Sequence, residues 1–143
     1  MYAILTAVLT IMIDQGSKYL LGLQDQVLIP GILEISYTRN QGISMGLFSS
    51  GSIPVTILSA AVCIGLTIFV IRRKDICRLK SVFAGMIVGG GIGNLIDRIR
   101  LGYVTDFLNL LFIRFYVFNL ADVFIVSGAI LLAVSLIREK KDA

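Results

Sequence analysis

Gly89-Gly90-Gly91-Ile92-Gly93-Asn94-Leu95-Ile96-Asp97-Arg98 is the stretch that decides how this chain is built. Four glycines, an amide, a carboxylate and a guanidinium lie in a segment, residues 81–99, that is otherwise apolar and long enough to cross a bilayer. A charge held in hydrocarbon costs about 2.5–3.5 kcal/mol on insertion scales, so charges retained there mark functional sites. Ser81, Gly85, Gly89, Gly93 and Asp97 recur every four residues and share one helical face. Small residues on such a face let helix backbones approach closely in lipid. Gly90, Asn94 and Arg98 form an adjacent stripe. Gly85 and Gly89 read as packing positions, whereas Gly90 and Gly93, beside Asn94 and Asp97, suit packing and substrate contact equally. The run is not a dinucleotide fingerprint, which needs a preceding strand.

Outward from this segment, three more apolar stretches have spanning length: residues 2–23, 54–71 and 117–137. The 143 residues are 57% hydrophobic and 15% charged, and mean hydropathy is +0.91. Too little polar material remains to cover a water-facing domain. The first stretch carries Asp14 and Lys18 and has no basic leader, so it reads as a retained span and not a cleavable signal. Five of the nine residues from Arg72 to Lys80 are basic, and Arg138, Lys140 and Lys141 add three near the end. The loops 24–53 and 100–116 are poor in basic residues. The positive-inside rule accounts for the net charge of +4 better than nucleic-acid binding does, and it places both termini in the cytoplasm. Within the outer loops, residues 27–38 and 107–118 are apolar, aromatic and β-branched, which suits short strands or interfacial segments. The expected fold is an all-α integral membrane protein: one domain, residues 1–143, of four transmembrane helices with a small extracytoplasmic β-platform.

The chain contains no histidine, which excludes a Ser-His-Asp triad, a Cys-His pair and histidine-rich zinc sites. Cys63 and Cys77 form no disulfide or zinc pattern. No metal or cofactor is expected. The polar residues of the spans fall in one layer near the outer leaflet: Asp14 and Lys18 in the first span, Asn94, Asp97 and Arg98 in the third, Asn119 and Asp122 in the fourth. Asp14 and Lys18 share a helical face, where Lys18 is expected to offset the charge of Asp14 as an ion pair while snorkelling outward. Asp97 beside Arg98 reads first as a structural ion pair. Asp122 has no basic residue within a helical turn, and its plain role would be a hydrogen bond to another helix. Asp106 would otherwise cap a turn. Asn119 is placed to cap the fourth helix. Arg39-Asn40-Gln41-Gly42 reads as a turn whose Asn40 amide is free to clamp an extended backbone.

If Asp106 and Asp122 meet where the outer loop joins the fourth span, they form a carboxylate pair in a low-dielectric pocket and share one proton. The ionised member takes a proton from water; the protonated member polarises a carbonyl or donates to a leaving amine. That is aspartyl amide hydrolysis at the membrane surface.

Asp14-Gln15-x-x-Lys18, Asn40-x-Gly42, Gly93-Asn94-x-x-Asp97-Arg98, Val104-x-Asp106-Phe107 and Phe118-Asn119-x-Ala121-Asp122 occur in the order found in bacterial lipoprotein signal peptidases (signal peptidase II), which the chain resembles over nearly its whole length. The resemblance implies an aspartic endopeptidase of the bacterial inner membrane that cleaves diacylglyceryl-modified prolipoproteins just before the lipidated cysteine. It implies Asp106 and Asp122 as the catalytic dyad. Asn40, Gly42, Asn94, Arg98 and Asn119 would contact the substrate backbone or position the dyad, and Asp14, Lys18 and Asp97 would support the site. It also implies contact with membrane lipids, inhibition by globomycin-type peptides, and a surface cradle of outer strands. A monomer is expected. One departure is Ile43-Ser44-Met45, where relatives often have Ala-Ala and an aromatic.

A presenilin-like protease would need an aspartate directly after a glycine, and none occurs here; a rhomboid would need histidine. The alternative from another class is a small ion-coupled transporter subunit relaying cations through Asp14, Asp97 and Asp122. It predicts carboxylates at the midplane, not gathered at one face.

Overall fold

The computed structural model describes residues 1–21, 24–42, 52–72 and 77–142. Among them are four helices and three strands: α1 (Tyr2–Leu21), β1 (Gln26–Ile29), β2 (Leu33–Asn40), α2 (Ser52–Arg72), α3 (Arg78–Leu101), β3 (Val104–Leu110) and α4 (Leu120–Asp142). Three helical stretches among the described residues, Tyr2–Leu21, Arg78–Leu101 and Leu120–Glu139, are long and apolar enough to cross a membrane; in α2 the apolar helical stretch is Thr56–Ile68. The result is a mostly helical molecule with a small antiparallel sheet. Residues 22–23 of the first expected span, much of the basic loop, and Ile43-Ser44-Met45 lie outside the described residues.

Helix α3 is the centre of the bundle, and its glycines explain why. A Cβ at Gly85 would lie 2.5 Å from the Ala3 carbonyl oxygen, and one at Gly89 would lie 2.6 Å from that of Ala7. These two positions therefore set the contact with α1. On the adjacent stripe, a Cβ at Gly90 would lie 2.6 Å from the Ala121 carbonyl oxygen in α4. Gly91 meets the Cys63 sulfur of α2 instead, at 2.7 Å. The glycine run is thus a three-sided packing surface, and the open choice at Gly90 and Gly93 resolves into helix contact. Much of the remaining surface of α1, α2 and α4 is exposed apolar side chain, such as Leu5, Ile57 and Ile137. Where α3 and α4 meet far from the sheet, Lys80 pairs with Glu139.

The sheet, in order β1-β2-β3, is antiparallel throughout. Its strands only overlap the two apolar outer segments: β2 runs on to Asn40, while β3 begins ahead of its segment at Val104 and stops at Leu110, leaving much of 111–117 irregular. Past an irregularity between Ile35 and Thr38, the register pairs Thr38 with Asp106, Arg39 with Thr105 and Asn40 with Val104. Arg39 and Asn40 therefore close a strand, and do not form a turn; the Gly42 N–H donates to Asn40 Oδ1 at 3.1 Å immediately beyond it. Successive strand residues face opposite sides. Tyr37, Tyr103 and Arg39 cluster together, the Tyr37 and Tyr103 hydroxyls 3.1 Å apart and Arg39 Nε donating to Tyr37. Asn40 and Asp106 share the other side. A main-chain clasp ties β3 to the start of α4: Leu108 N–H donates to Phe118 O at 2.8 Å and Phe118 N–H to Leu108 O at 3.0 Å. Phe107 and Ala121 on either side of the clasp are fully buried. The sheet end of the bundle is thereby bound to the helix ends that carry the polar residues.

Candidate active site

Helix α4 begins with a reciprocal cap. Asn119 Oδ1 accepts from the Asp122 N–H at 3.0 Å, while the Asn119 N–H donates to Asp122 Oδ2 at 3.3 Å. The expected cap is present, and it fixes the Asp122 carboxylate at the first turn, where the helix dipole favours negative charge. Asn119 has a second task. Its Nδ2 donates to Asp106 Oδ1 at 2.6 Å and to Asn94 Oδ1 at 3.1 Å. Asn94 Nδ2 donates in turn to Asp122 Oδ1 at 2.8 Å, a bond between α3 and α4. Asn40 Nδ2 donates to the other Asp106 oxygen, Oδ2, at 2.8 Å. Both oxygens of Asp106 and both of Asp122 therefore accept a hydrogen bond, and Asn119 touches both acids. Asp106 is a strand residue inside this amide network, not a turn cap.

Asp106 is 1% exposed. Burial, the largest influence, pushes its carboxyl up to about 6; the bond from Asn40 opposes this, the charge of Asp122 adds to it, and Asn119 and Lys18 oppose it. Both acids line a cleft of about 870 Å³ that has a polar end at Asn40, Asp106 and Asp122 and an apolar flank including Phe115, Val126 and Ile130. A smaller cleft of about 280 Å³, lined by Leu58, Cys63 and Arg98 among others, also reaches both acids. The pair stands where the two clefts meet.

Behind the pair is a buried charge cluster. Lys18 Nζ lies 2.9 Å from Asp14 Oδ2, 3.1 Å from Asp97 Oδ2 and 2.9 Å from Asn94 Oδ1. Lys18 is buried and does not snorkel, because three acceptors match its three N–H groups inside the bundle. The expected Asp97–Arg98 pair is also absent: Asp97 pairs with Lys18, since adjacent helix residues point in different directions. Arg98 instead donates to the Asn94 and Gly42 carbonyls, each at 3.4 Å, joining α3 to the end of β2. Gly93 has a steric reason, since a Cβ there would strike the Asp14 carboxylate. Gln15 stands in the first sequence motif but was assigned no role from sequence. Its Nε2 donates to Asp14, Asp97 and the Gly93 carbonyl at 3.0–3.2 Å. Its signal was its place beside Asp14 and one turn before Lys18.

The bundle and site are those of a multi-pass membrane enzyme. A solved bacterial membrane enzyme, determined by the in meso method, superimposes with a TM-score of 0.87 at 29% identity, covering 98% of this chain and 90% of that one. The chain belongs to the signal peptidase (SPase) II family, whose profile matches residues 6–138. It is 37% identical over 142 residues to the lipoprotein signal peptidase of Microcystis aeruginosa, covering 95% of this chain and 92% of that protein. It is 40% identical over 109 residues to that of Thermosynechococcus vestitus, covering 76% and 69%. The protein is accordingly a peptidase of lipoprotein processing.

Proposed function

We propose that the protein is an aspartic endopeptidase that removes signal peptides from diacylglyceryl-modified prolipoproteins, cutting just before the lipidated cysteine. The observation that carries this reading is the shared network: Asn119 bonds to both Asp106 and Asp122 at the polar end of a largely apolar cleft. Two carboxylates joined in this way favour one shared proton. Asp106 retains its proton to about pH 6 and acts as the acid, polarising the scissile carbonyl and later protonating the leaving amine. Asp122 is the ionised partner that takes a proton from the attacking water. Asn40, Gly42, Asn94, Arg98 and Asn119 position the acids and the substrate backbone, while Asp14, Lys18 and Asp97 support them. Globomycin-type peptides would occupy the same cleft.

The chain acts as one domain, a monomer with four spans in the bacterial inner membrane and surrounded by its lipids. Both termini face the cytoplasm and the acids lie near the outer leaflet. The basic residues around Arg72–Lys80 and Arg138–Lys141 support this orientation, as does the gathering of polar residues at the opposite end.

The test is cleavage of a diacylglyceryl-modified prolipoprotein by the purified chain. Asp106→Asn and Asp122→Asn should each slow cleavage by about 10²–10⁴-fold while leaving the fold intact. Parent-rate cleavage by either variant refutes the dyad, and preference for an unlipidated precursor refutes the substrate class.

A further inference from the structure

The residue immediately before each acid is anchored in the same way. The Thr105 N–H, preceding Asp106, donates to Asp97 Oδ2 at 3.0 Å. The Ala121 N–H, preceding Asp122, donates to Asp14 Oδ1 at 3.0 Å. These two receiving carboxylates sit on different helices, α3 and α1, and Lys18 bridges them at 3.1 and 2.9 Å. The third Lys18 donor reaches Asn94, which bonds directly to Asp122 and through Asn119 to Asp106. One buried ammonium is therefore linked to each acid twice: through the backbone N–H before it and through the amide network in front of it. Among the described residues, Lys18 alone makes this set of contacts.

We infer that Lys18 is the positioning residue of the site, one that fixes the spacing of β3 and the α4 N-terminus and thereby of the two acids. This rests on the reading of Asp106 and Asp122 as the reacting pair. Gln15 repeats the Asp14–Asp97 bridge but brings no charge, and its third bond goes to the Gly93 carbonyl and not to the Asn94 side chain. Lys18 thus adds a field as well as a clamp. The charged groups around Asp106 include Asp122 from α4, Lys18 from α1 and Arg98 from α3, with Asp14 and Asp97, paired to Lys18, acting against the field of Lys18. Lys18 opposes protonation of Asp106, so its loss raises the pH at which Asp106 gives up its proton.

Two variants of the full chain in detergent test this against the lipidated precursor. Lys18→Arg keeps the charge, but a planar guanidinium cannot aim donors along the three ammonium directions. It should lower kcat about 10²-fold, with KM and the alkaline limb of the pH profile unchanged. Lys18→Met with Asp97→Asn removes one charge of each sign, preserving the net charge of the cluster. It should lower kcat similarly and move the alkaline limb upward, by a fraction of a pH unit, because loss of the Asp97 charge offsets part of the loss of Lys18. Parent kcat in folded Lys18→Arg overturns the inference, as does a loss of rate carried wholly by KM. An unmoved limb in a folded double variant overturns it too; if that variant does not fold, Lys18→Arg decides. Asp106→Asn is assayed alongside. Cleavage by that variant refutes the dyad reading itself, whereas an inactive Asp106→Asn beside an unaffected Lys18→Arg refutes only the role of Lys18.

Discussion

Asn119 joins three jobs in one fully buried side chain: helix cap, tether for Asp106 and partner of Asn94. Asn119→Ala removes a cap generally worth about 1 kcal/mol. It also leaves an oxygen of Asp106 without its donor. Thermal unfolding should register a modest loss, and cleavage a much larger one; equal small losses would show that the cap is its whole contribution. Asp106 itself gives a pH signature. Its carboxyl is raised in the fold, to about 6 from an ordinary 3.8, so folding favours the protonated form. Its favourable contribution is complete below pH 3.8 and is lost as pH rises through about 6. By linkage that loss is on the order of 3 kcal/mol. Asp106→Asn, neutral throughout, should flatten the denaturation midpoint between pH 4 and 7; a slope as steep as the parent's would assign it elsewhere. Apart from Gln15, the acids, amides and basic residues of the site were legible in the sequence, those of the spans as one polar layer. Their partners, the Asp14–Lys18 pair excepted, were not. Lys18 and Asp97 lie on helices far apart in the chain, and the next residue, Arg98, was the nearer guess for Asp97. One-dimensional proximity misleads in a helix, where neighbours i and i+1 diverge.

Helix α3 shows how much an element depends on where a Cβ fits. Gly89→Val should separate α1 from α3 and cost about 1–3 kcal/mol, since the nearest obstacle is the Ala7 backbone, which cannot rotate away. Gly16→Ala in α1 should do the opposite. A Cβ there meets nothing within 4 Å, and alanine favours helix over glycine by about 1 kcal/mol. Melting both variants in detergent checks the pair, and the same sign for both would contradict the packing. The four-residue spacing of small residues announced a packing face from sequence. The division of that face among α1, α2 and α4 was not legible, because spacing defines stripes and does not name the neighbour. The strands were legible as apolar segments too short to span, whereas the irregularity between Ile35 and Thr38, which brings Thr38 opposite Asp106, was not.

Across the whole molecule, charge divides the two ends. Acids and amides gather beside the sheet; Arg78, Lys80 and Glu139 lie at the other end of the same helices. Cys77 is exposed at the start of α3, in the basic segment, while Cys63 is buried against Gly91. In intact spheroplasts a membrane-impermeant maleimide should leave Cys77 unmodified until the membrane is opened. Labelling before permeabilisation would invert the proposed topology. Hydropathy made the membrane class legible over the full length of the chain, because apolar runs of that length have few other uses.

The Leu108–Phe118 clasp has a consequence for how such a molecule can change. Main-chain bonds tie the chain down on either side of residues 112–117, from Leu111 N–H to Ile32 O and from Phe118 N–H to Leu108 O, and Phe115 within this excursion packs edge-on against Phe118. Phe115 and Tyr116 on that excursion line the large cleft. On the proposed reading of the acids, exchanging side chains on this excursion should change what the cleft accepts more than it changes the placement of Asp106 and Asp122 behind the clasp.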